Sequence, residues 1–439
     1  MHYYDEKRNF TLTVTGDLFV GRKLSLYDEP EYAKLWDIVR DAHIRFTNFE
    51  QLIHEHRGFP VAESGGTYAQ LGPWIIDELK WMGFNLLNIA NNHSLDYGTE
   101  AMLRTKELLT EADLCHAGVG KNLAEARSPA YLDIKEGRVS FLAASSSFAS
   151  HGRAGDQRPD MQGRPGLNPV RFKTQHVVSP EDLSALKKIS TNIGLEGRKS
   201  YMVQSGWQPA DKEGELTFAG QKFVVGEKPG VYTEVEKADL DGNIKWISDA
   251  RRQSDFVAYS MHWHESGDTP WQPASFHQGF ARACVDAGVD AFLGHGPHIM
   301  RGIEIYKKRP IFYSLGNFVF QNDLVYKFPA DSYDRVGLDH YATPADYYDK
   351  RSDNGKKSFP SAERYWQSFV PKCRYEAGEL VELTLYPITL GFGKSRTVRG
   401  RPLLASGDAA ENIISQLADL SKPFGTEIVF DGKAGIVKL

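Results

Sequence analysis

The chain has 439 residues, 41% of them hydrophobic and 25% charged, and its net charge is −5. At about 150 residues per domain, this length predicts two or three domains or one large α/β unit, with a core that needs no staples. The acidic balance leaves no electrostatic footprint for nucleic acid, so an anionic substrate has to meet a local basic patch.

Cys115, Cys284 and Cys373 are few, odd in number and far apart. They argue against a disulfide framework, favour a reducing compartment and read as small core residues. Residues 1–10 are polar and charged with no apolar h-region, and no run approaches the roughly 20 apolar residues of a membrane span. The expectation is a cytoplasmic protein with no membrane partner.

In chain order, residues 10–15 alternate and are β-branched, which predicts a strand ending at Gly16-Asp17. A second strand over 44–48 ends beside Glu50. Gly72-Pro73 opens a helix that runs through Met82 and stops at Gly83. Residues 84–89 predict a third strand whose end delivers Asn91, Asn92 and His93, and an amphipathic helix follows over 99–112. Strand, helix, strand in that order is the α/β signature. Residues 131–134 and 139–144, joined at Glu136-Gly137, predict a hairpin. The rhythm then breaks over an insert at about 145–230. Its first part, 145–169, is rich in Gly, Pro, Ser and Arg and reads as a long loop, and a helix is predicted over 180–189. The pattern resumes with a helix over 244–252 and a strand over 256–261 that delivers His262. A helix over 273–287 is closed by Gly288, a strand over 291–293 delivers His295, and another strand covers 310–315. Residues 322–365 show little periodicity, 380–390 predict a strand, and 406–420 a final helix.

Five of the 14 histidines fall between residues 262 and 298, a clustering that packing alone does not explain. Asp17 and Glu50, taken singly, read as turn or capping residues. Asn92 and His93 are poor continuations of the apolar strand before them. His295 and His298 flank a Gly-Pro turn that aims both imidazoles at one point, and His262 and His264 alternate on one strand face ahead of Glu265. Hard oxygen ligands and imidazoles at converging strand ends are what a two-metal hydrolytic site needs.

On these residues the chain resembles the CapA or PGA_cap proteins, linked by name to poly-γ-glutamate capsule synthesis and related to calcineurin-like metallophosphatases. The resemblance covers residues 10–320. It is carried by Gly16-Asp17, Asn48-Phe49-Glu50, Asn91-Asn92-His93, His262 with Glu265, Gly294-His295-Gly296-Pro297-His298, and Ser314-Leu315-Gly316-Asn317-Phe318. It implies a four-layer α/β/β/α sandwich of metallophosphatase type over residues 1–320, with long inserted loops, and a C-terminal extension over 321–439 packing on the same domain. It also implies one or two divalent transition metals, with Mn, Fe or Zn suited to the mixed donors. Asp17 would bind one metal and Glu50 would bridge two. Asn92, His262 and His295 would complete the second, and His298 would return to the first. His93, beside a ligand but free itself, looks like the general acid. Metallophosphatases usually carry a His two residues after the first Asp, where this chain has Phe19. His264 would then supply the missing ligand or support His262 from behind.

Such a centre serves amide and phosphoester cleavage alike. Arg153, Arg158, Arg164 and Arg171 in the insert, with Arg301 just past His298, suggest a carboxylate or phosphate on the substrate, although Arg scattered over a solvated loop reads the same way. Arg158, Arg164, Arg301 and His264 are therefore the candidate substrate-binding residues, while Asn317 reads as a turn residue. The expected function is a metal-dependent hydrolase of an amide or peptide-like bond in a carboxylate-bearing substrate, poly-γ-glutamate related or small. A phosphoesterase is the alternative within enzymes, and a non-catalytic capsule polymer biosynthesis protein the alternative outside them.

Overall fold

A computed structural model describes residues 8–55 and 57–439, so most of the stretch read for an N-terminal leader lies outside the described residues. The chain is mixed α/β, built on two large sheets. The first has ten strands. Its centre is Phe10–Phe19, with Ile44–Phe49, Leu86–Asn88 and Cys115–Ala117 parallel to one side and Asn317–Phe320 pairing at its far end. The second has six strands in the order Ile303–Tyr306, Arg309–Phe312, Ala291–His295, Phe256–His262, Gly137–Ser145 and Ala130–Ile134.

Side-chain alternation explains how the sheets meet. Leu12, Val14 and Phe46 of the first sheet share one apolar cluster with Phe141, Ala258 and Leu293 of the second. Phe46 meets Phe141 with ring centroids 5.8 Å apart. Residues of the opposite parity face outward. Thr13 donates from its hydroxyl to the Val39 carbonyl in helix Pro30–Arg40 at 2.8 Å. Helices Pro30–Arg40, Ile75–Met82 and Gly98–Glu111 bury Trp36, Leu79 and Met102 in the cluster on that side. Likewise Leu142, Tyr259 and Phe292 point away from the shared core and pack with Ile247 and Phe280 of helices Lys237–Arg251 and Ser275–Asp286. Among the described residues no helix is long and apolar enough to cross a membrane.

Register sets the functional residues abreast. Asp17 lies opposite Asn48 on one side and Asn317 on the other, Asn48 lies opposite Asn88, and in the second sheet His262 lies opposite His295. Ligand-binding groups at the carboxyl ends of neighbouring parallel strands converge in this way in α/β folds generally.

The C-terminal residues extend the first sheet. Gln367–Glu376 runs antiparallel to Phe10–Phe19, Glu379–Thr389 follows it, and helix Gly407–Ser421 sends Ile413, Ile414 and Leu417 into the core between the sheets. Beyond the loop expected over 145–169 and the helix expected over 180–189, the insert carries a sheet. Glu215–Phe218, Gln221–Val225, Phe172–Val178 and Gly230–Val235 form a four-stranded sheet, flanked by helices Pro180–Asn192 and Leu195–Gln204. Its layers are thin, and helix Leu195–Gln204 buries no residue, so the apolar periodicity that reveals such elements is missing from the sequence.

Asp239 ties the insert to the body. It is 1% exposed and accepts from Arg127 Nη2 at 2.6 Å and from Arg171 Nε at 2.7 Å. Burial opposes its charge, but the two guanidiniums outweigh burial and hold the carboxyl below the usual range. Its stabilisation is therefore full above the unfolded value of about 3.9 and is lost as pH falls through the lower folded value. Asp239→Ala leaves Arg127 buried without its partner and is expected to cost about 3 kcal/mol in urea unfolding at pH 7. That difference should shrink below about pH 4.

Candidate metal centre

Close approach of two backbones starts the site. A Cβ at Gly16 would lie 1.8 Å from the Gly316 carbonyl oxygen, the same oxygen that accepts from the Asp17 amide at 3.0 Å. Gly16 thus lets the strand end seat Asp17 against the turn before Asn317. The Asp17 carboxylate is fully buried and accepts from Asn48 Nδ2 at 2.8 Å, while Asn48 Oδ1 accepts from Asn88 Nδ2 at 2.7 Å. This ladder of amides fixes the carboxylate from the sheet side.

The imidazoles close round it. His295 Nδ1 lies 3.6 Å from Asp17 Oδ1 and 3.1 Å from His262 Nδ1, and Ser260 Oγ holds the other His295 nitrogen at 2.7 Å. His262 Nε2 lies 3.1 Å from His264 Nε2 and 3.8 Å from Glu50 Oε1. His298 spans both carboxylates, with Nδ1 3.4 Å from Asp17 Oδ2 and Nε2 3.8 Å from Glu50 Oε1. Its backbone sits at φ +61°, an unusual conformation for a residue with a side chain, and Asn317 Oδ1 holds Nδ1 at 2.8 Å. Asn317 is more than a turn residue, because it aims His298.

Ligand atoms of Asp17, His262 and His295 lie within 4.8 Å of one another, as do those of Glu50, His264 and His298. This partition differs from the one the resemblance implies, in which His262 and His295 join Glu50. His264 enters a ligand set, the role considered for it because Phe19 replaces a His. Phe19 packs edge-on against the His93 ring at 5.9 Å.

Three acceptors bear on whether a metal fits here. Both Glu50 carboxylate oxygens and Asn92 Oδ1 are buried with no hydrogen-bond donor, although Asn92 Nδ2 is held by the Gly65 carbonyl at 2.9 Å. Buried acceptors without donors are costly, and imidazole nitrogens of three histidines crowd to within 3.1 Å of their neighbours beside them. A divalent cation satisfies both, so the donor set fits a metal. Two carboxylates buried side by side call for positive charge. Burial and the neighbouring Asp17 push Glu50 up to about 8. Burial opposes charge on His298, but Glu50 and Asp17 outweigh it and hold that imidazole at about 9. Burial drives His295 down to about 4, leaving a neutral ring with a lone pair to offer.

His93 stands apart from both ligand sets. It is 5% exposed, its amide donates to Asn91 Oδ1 at 3.1 Å, and its Nδ1 lies 2.6 Å from Asp96 Oδ2. Burial disfavours its charge, but Asp96 outweighs burial and raises the imidazole above its ordinary value. Nδ1 is thereby committed to Asp96.

Arg158 and Arg164 fall elsewhere. Arg158 is exposed and paired with Asp160 at 2.9 Å, and Arg164 is exposed and donates to the Arg153 carbonyl at 3.0 Å. No contact joins either to the cluster among the described residues. Arg301 is 1% exposed and donates to the Pro270 carbonyl at 3.0 Å and the His264 carbonyl at 3.5 Å, so it braces the His264 backbone. Asn48, Asn88, Asp96 and Ser260 had no assigned role in the sequence. Only Asp96, three residues beyond His93, carried a spacing that could have found it.

Residues 11–322 match the family described as bacterial capsule synthesis protein PGA_cap. The chain belongs to the PGA_cap family. An uncharacterized protein of Sinorhizobium fredii is 38% identical to this PGA_cap chain, over 98% of it and 93% of the relative. The capsule biosynthesis protein CapA of Bacillus anthracis is 25% identical over 72% of this chain and 61% of its own length. A probable polyglutamine synthesis accessory protein of Mycobacterium tuberculosis is 23% identical over 78% of this chain and 63% of its own. Both Bacillus anthracis CapA and the mycobacterial protein thus extend well beyond the matched region.

Proposed function

We propose that this PGA_cap protein is a metal-dependent hydrolase that cleaves an amide or peptide-like bond in a carboxylate-bearing molecule. Its partner is then a small or peptide-like anionic substrate, and nucleic acid and membrane are not partners. The scaffold is read as a four-layer α/β/β/α sandwich of metallophosphatase type, supported by one apolar cluster between the sheets and one under the helices on each outer face. The carrying observation is the donor set, buried at Asp17, Glu50, His262 and His295 and open at His264, with orphaned acceptors on Glu50 and Asn92 beside a separate His93–Asp96 pair. Asp17, Glu50, Asn92, His262, His264, His295 and His298 would hold one or two ions of Mn, Fe or Zn. A cation there supplies Lewis-acid polarisation and makes water acidic enough to act as a nucleophile near neutral pH.

The chain's own residues do the rest. Asn48 and Asn317 orient Asp17 and His298, and Ser260 fixes the ring of His295. His93 Nε2 donates the proton that an amine or alkoxide needs to leave, while Asp96 holds the ring and favours its protonated form. Relatives named for capsule biosynthesis and polyglutamine synthesis support an amide-linked substrate. The test offers metal-loaded protein N-acylglutamates and short γ-linked glutamate peptides beside p-nitrophenyl phosphate esters. Release of amine is the expected result. Hydrolysis of the phosphate esters alone would make the protein a phosphoesterase, and no hydrolysis of either class by metal-loaded protein would favour a non-catalytic role in polymer synthesis.

A further inference from the structure

A second polar pocket abuts the cluster across one aromatic ring. Phe359 meets His298 edge-on at 5.4 Å between ring centroids, packs on Phe320 at 4.8 Å, and lines a cavity of about 20 Å³ with its remaining surface. The cavity also borders Arg351, Arg396, Arg399, Asp323 and Trp366. Three guanidiniums against one carboxylate leave the lining positive. Arg399 is spent on Asp323, its guanidinium stacked over Trp366 at 5.1 Å. Arg396 donates one nitrogen to Asp349 at 2.7 Å, while its Nε is buried without a hydrogen-bond partner, 3.7 Å from Asp323.

Arg351 has no carboxylate partner among the described residues and donates to the neutral hydroxyl of Thr67 at 2.8 Å. Thr67 lies between Gly65, whose carbonyl holds Asn92, and Ala69, whose amide is held by Asp96. The pocket is therefore built against the candidate centre on two sides, by Phe359 on His298 and by Arg351 on the loop that holds Asn92. The backbone is committed to this wall. Ser358 adopts φ +60° and ψ −151°, a region that residues with side chains rarely enter, and the next carbonyl, of Phe359, accepts from Trp366 Nε1 at 2.8 Å.

We propose that this pocket is the anchor for a carboxylate of the substrate, with Arg351 and Arg396 as its guanidinium partners. The inference rests on the hydrolase reading for its meaning but not for its test. Room for the end of one small group suits a terminal carboxylate, and a planar fork with free N–H groups matches a carboxylate's two oxygens. The substrate class is then an amide with a carboxylate on the far side of Phe359 from the scissile bond.

The test is calorimetric titration of the protein as purified with glutarate, its dimethyl ester and inorganic phosphate. The parent is compared with R351A, R351K and E50Q. Glutarate should bind the parent and E50Q alike and bind R351A about tenfold or more weakly, with R351K also weakened. The dimethyl ester should not bind. Equal binding by parent and R351A, or no binding to the parent, would overturn the proposal. Loss of binding in E50Q would place glutarate on the metal cluster instead, and tighter Arg351-dependent binding of phosphate would make this a phosphate site. R351K, which keeps the charge and most of the packing, guards against misfolding of R351A. If glutarate binds as expected and no amide is cleaved, the hydrolase reading fails while the anchor stands.

Discussion

Replacing His93 with Asn is expected to lower turnover by about 10²- to 10⁴-fold while metal content stays near that of the parent, the usual range for a general acid. Asn keeps a polar group at a 5% exposed position but carries no transferable proton. The expectation follows from commitment of Nδ1 to Asp96 at 2.6 Å and from the absence of His93 from both ligand sets. Its pH dependence has a definite sign. Asp96 raises the His93 value, so rate should fall on the alkaline side as His93 loses its proton. Asp96→Asn removes that charge and should move the alkaline limb to lower pH. Metal analysis beside kinetics checks the assignment, since loss of metal together with activity would make His93 a ligand.

Asp17→Ala should have the second large effect, on metal affinity. The carboxylate faces both His295 and His298, so its removal takes a donor that no neighbour replaces. Affinity measured by competition with a chelating dye should drop by more than about 100-fold, the upper end of what removing a merely supporting residue costs. Asn48→Ala supplies the comparison. It removes the amide that orients Asp17 at 2.8 Å, and its cost should stay within about 10- to 100-fold. The metal-free fold should be weakened as well, because Asp17→Ala leaves His298 without one of its carboxylates and the Asn48 amide without its acceptor, and against burial these partners hold the Asp17 carboxyl below the usual range. Equal affinities for Asp17→Ala and the parent would remove Asp17 from the ligand set.

The strand ends were legible because their polar residues interrupt apolar runs. Asp17, Asn92, His262 and His295 each follow a buried segment and could not continue it as core. Convergence of those ends was legible only through the whole set of motifs, since each residue alone resembles a turn. The residues that aim the donors were hidden. Asn48, Asn88 and Ser260 look like any polar residue until register places them beside Asp17 and His295. Strand Gln367–Glu376 was masked by Pro371, which argues against a central strand. In the structure the pairing with Phe10–Phe19 stops at Lys372, so Pro371 pairs only with Leu385 on the other side. The sheet of the insert escaped for another reason, its strands being half-exposed on both faces. Arg158 and Arg164 were drawn towards the site by composition alone, while Arg351 and Arg396, in a stretch without periodicity, carried no signal until folded.

The central claim is that Asp17, Glu50, Asn92 and the four histidines hold a metal. Elemental analysis of purified full-length protein, before and after reconstitution with Mn, Fe or Zn, tests it most directly. The donor set predicts between one and two ions per chain, retained through desalting in the parent and lost in Asp17→Ala. Less than about 0.2 ion per chain, unchanged after reconstitution, is trace occupancy for a preformed multidentate site and would contradict it.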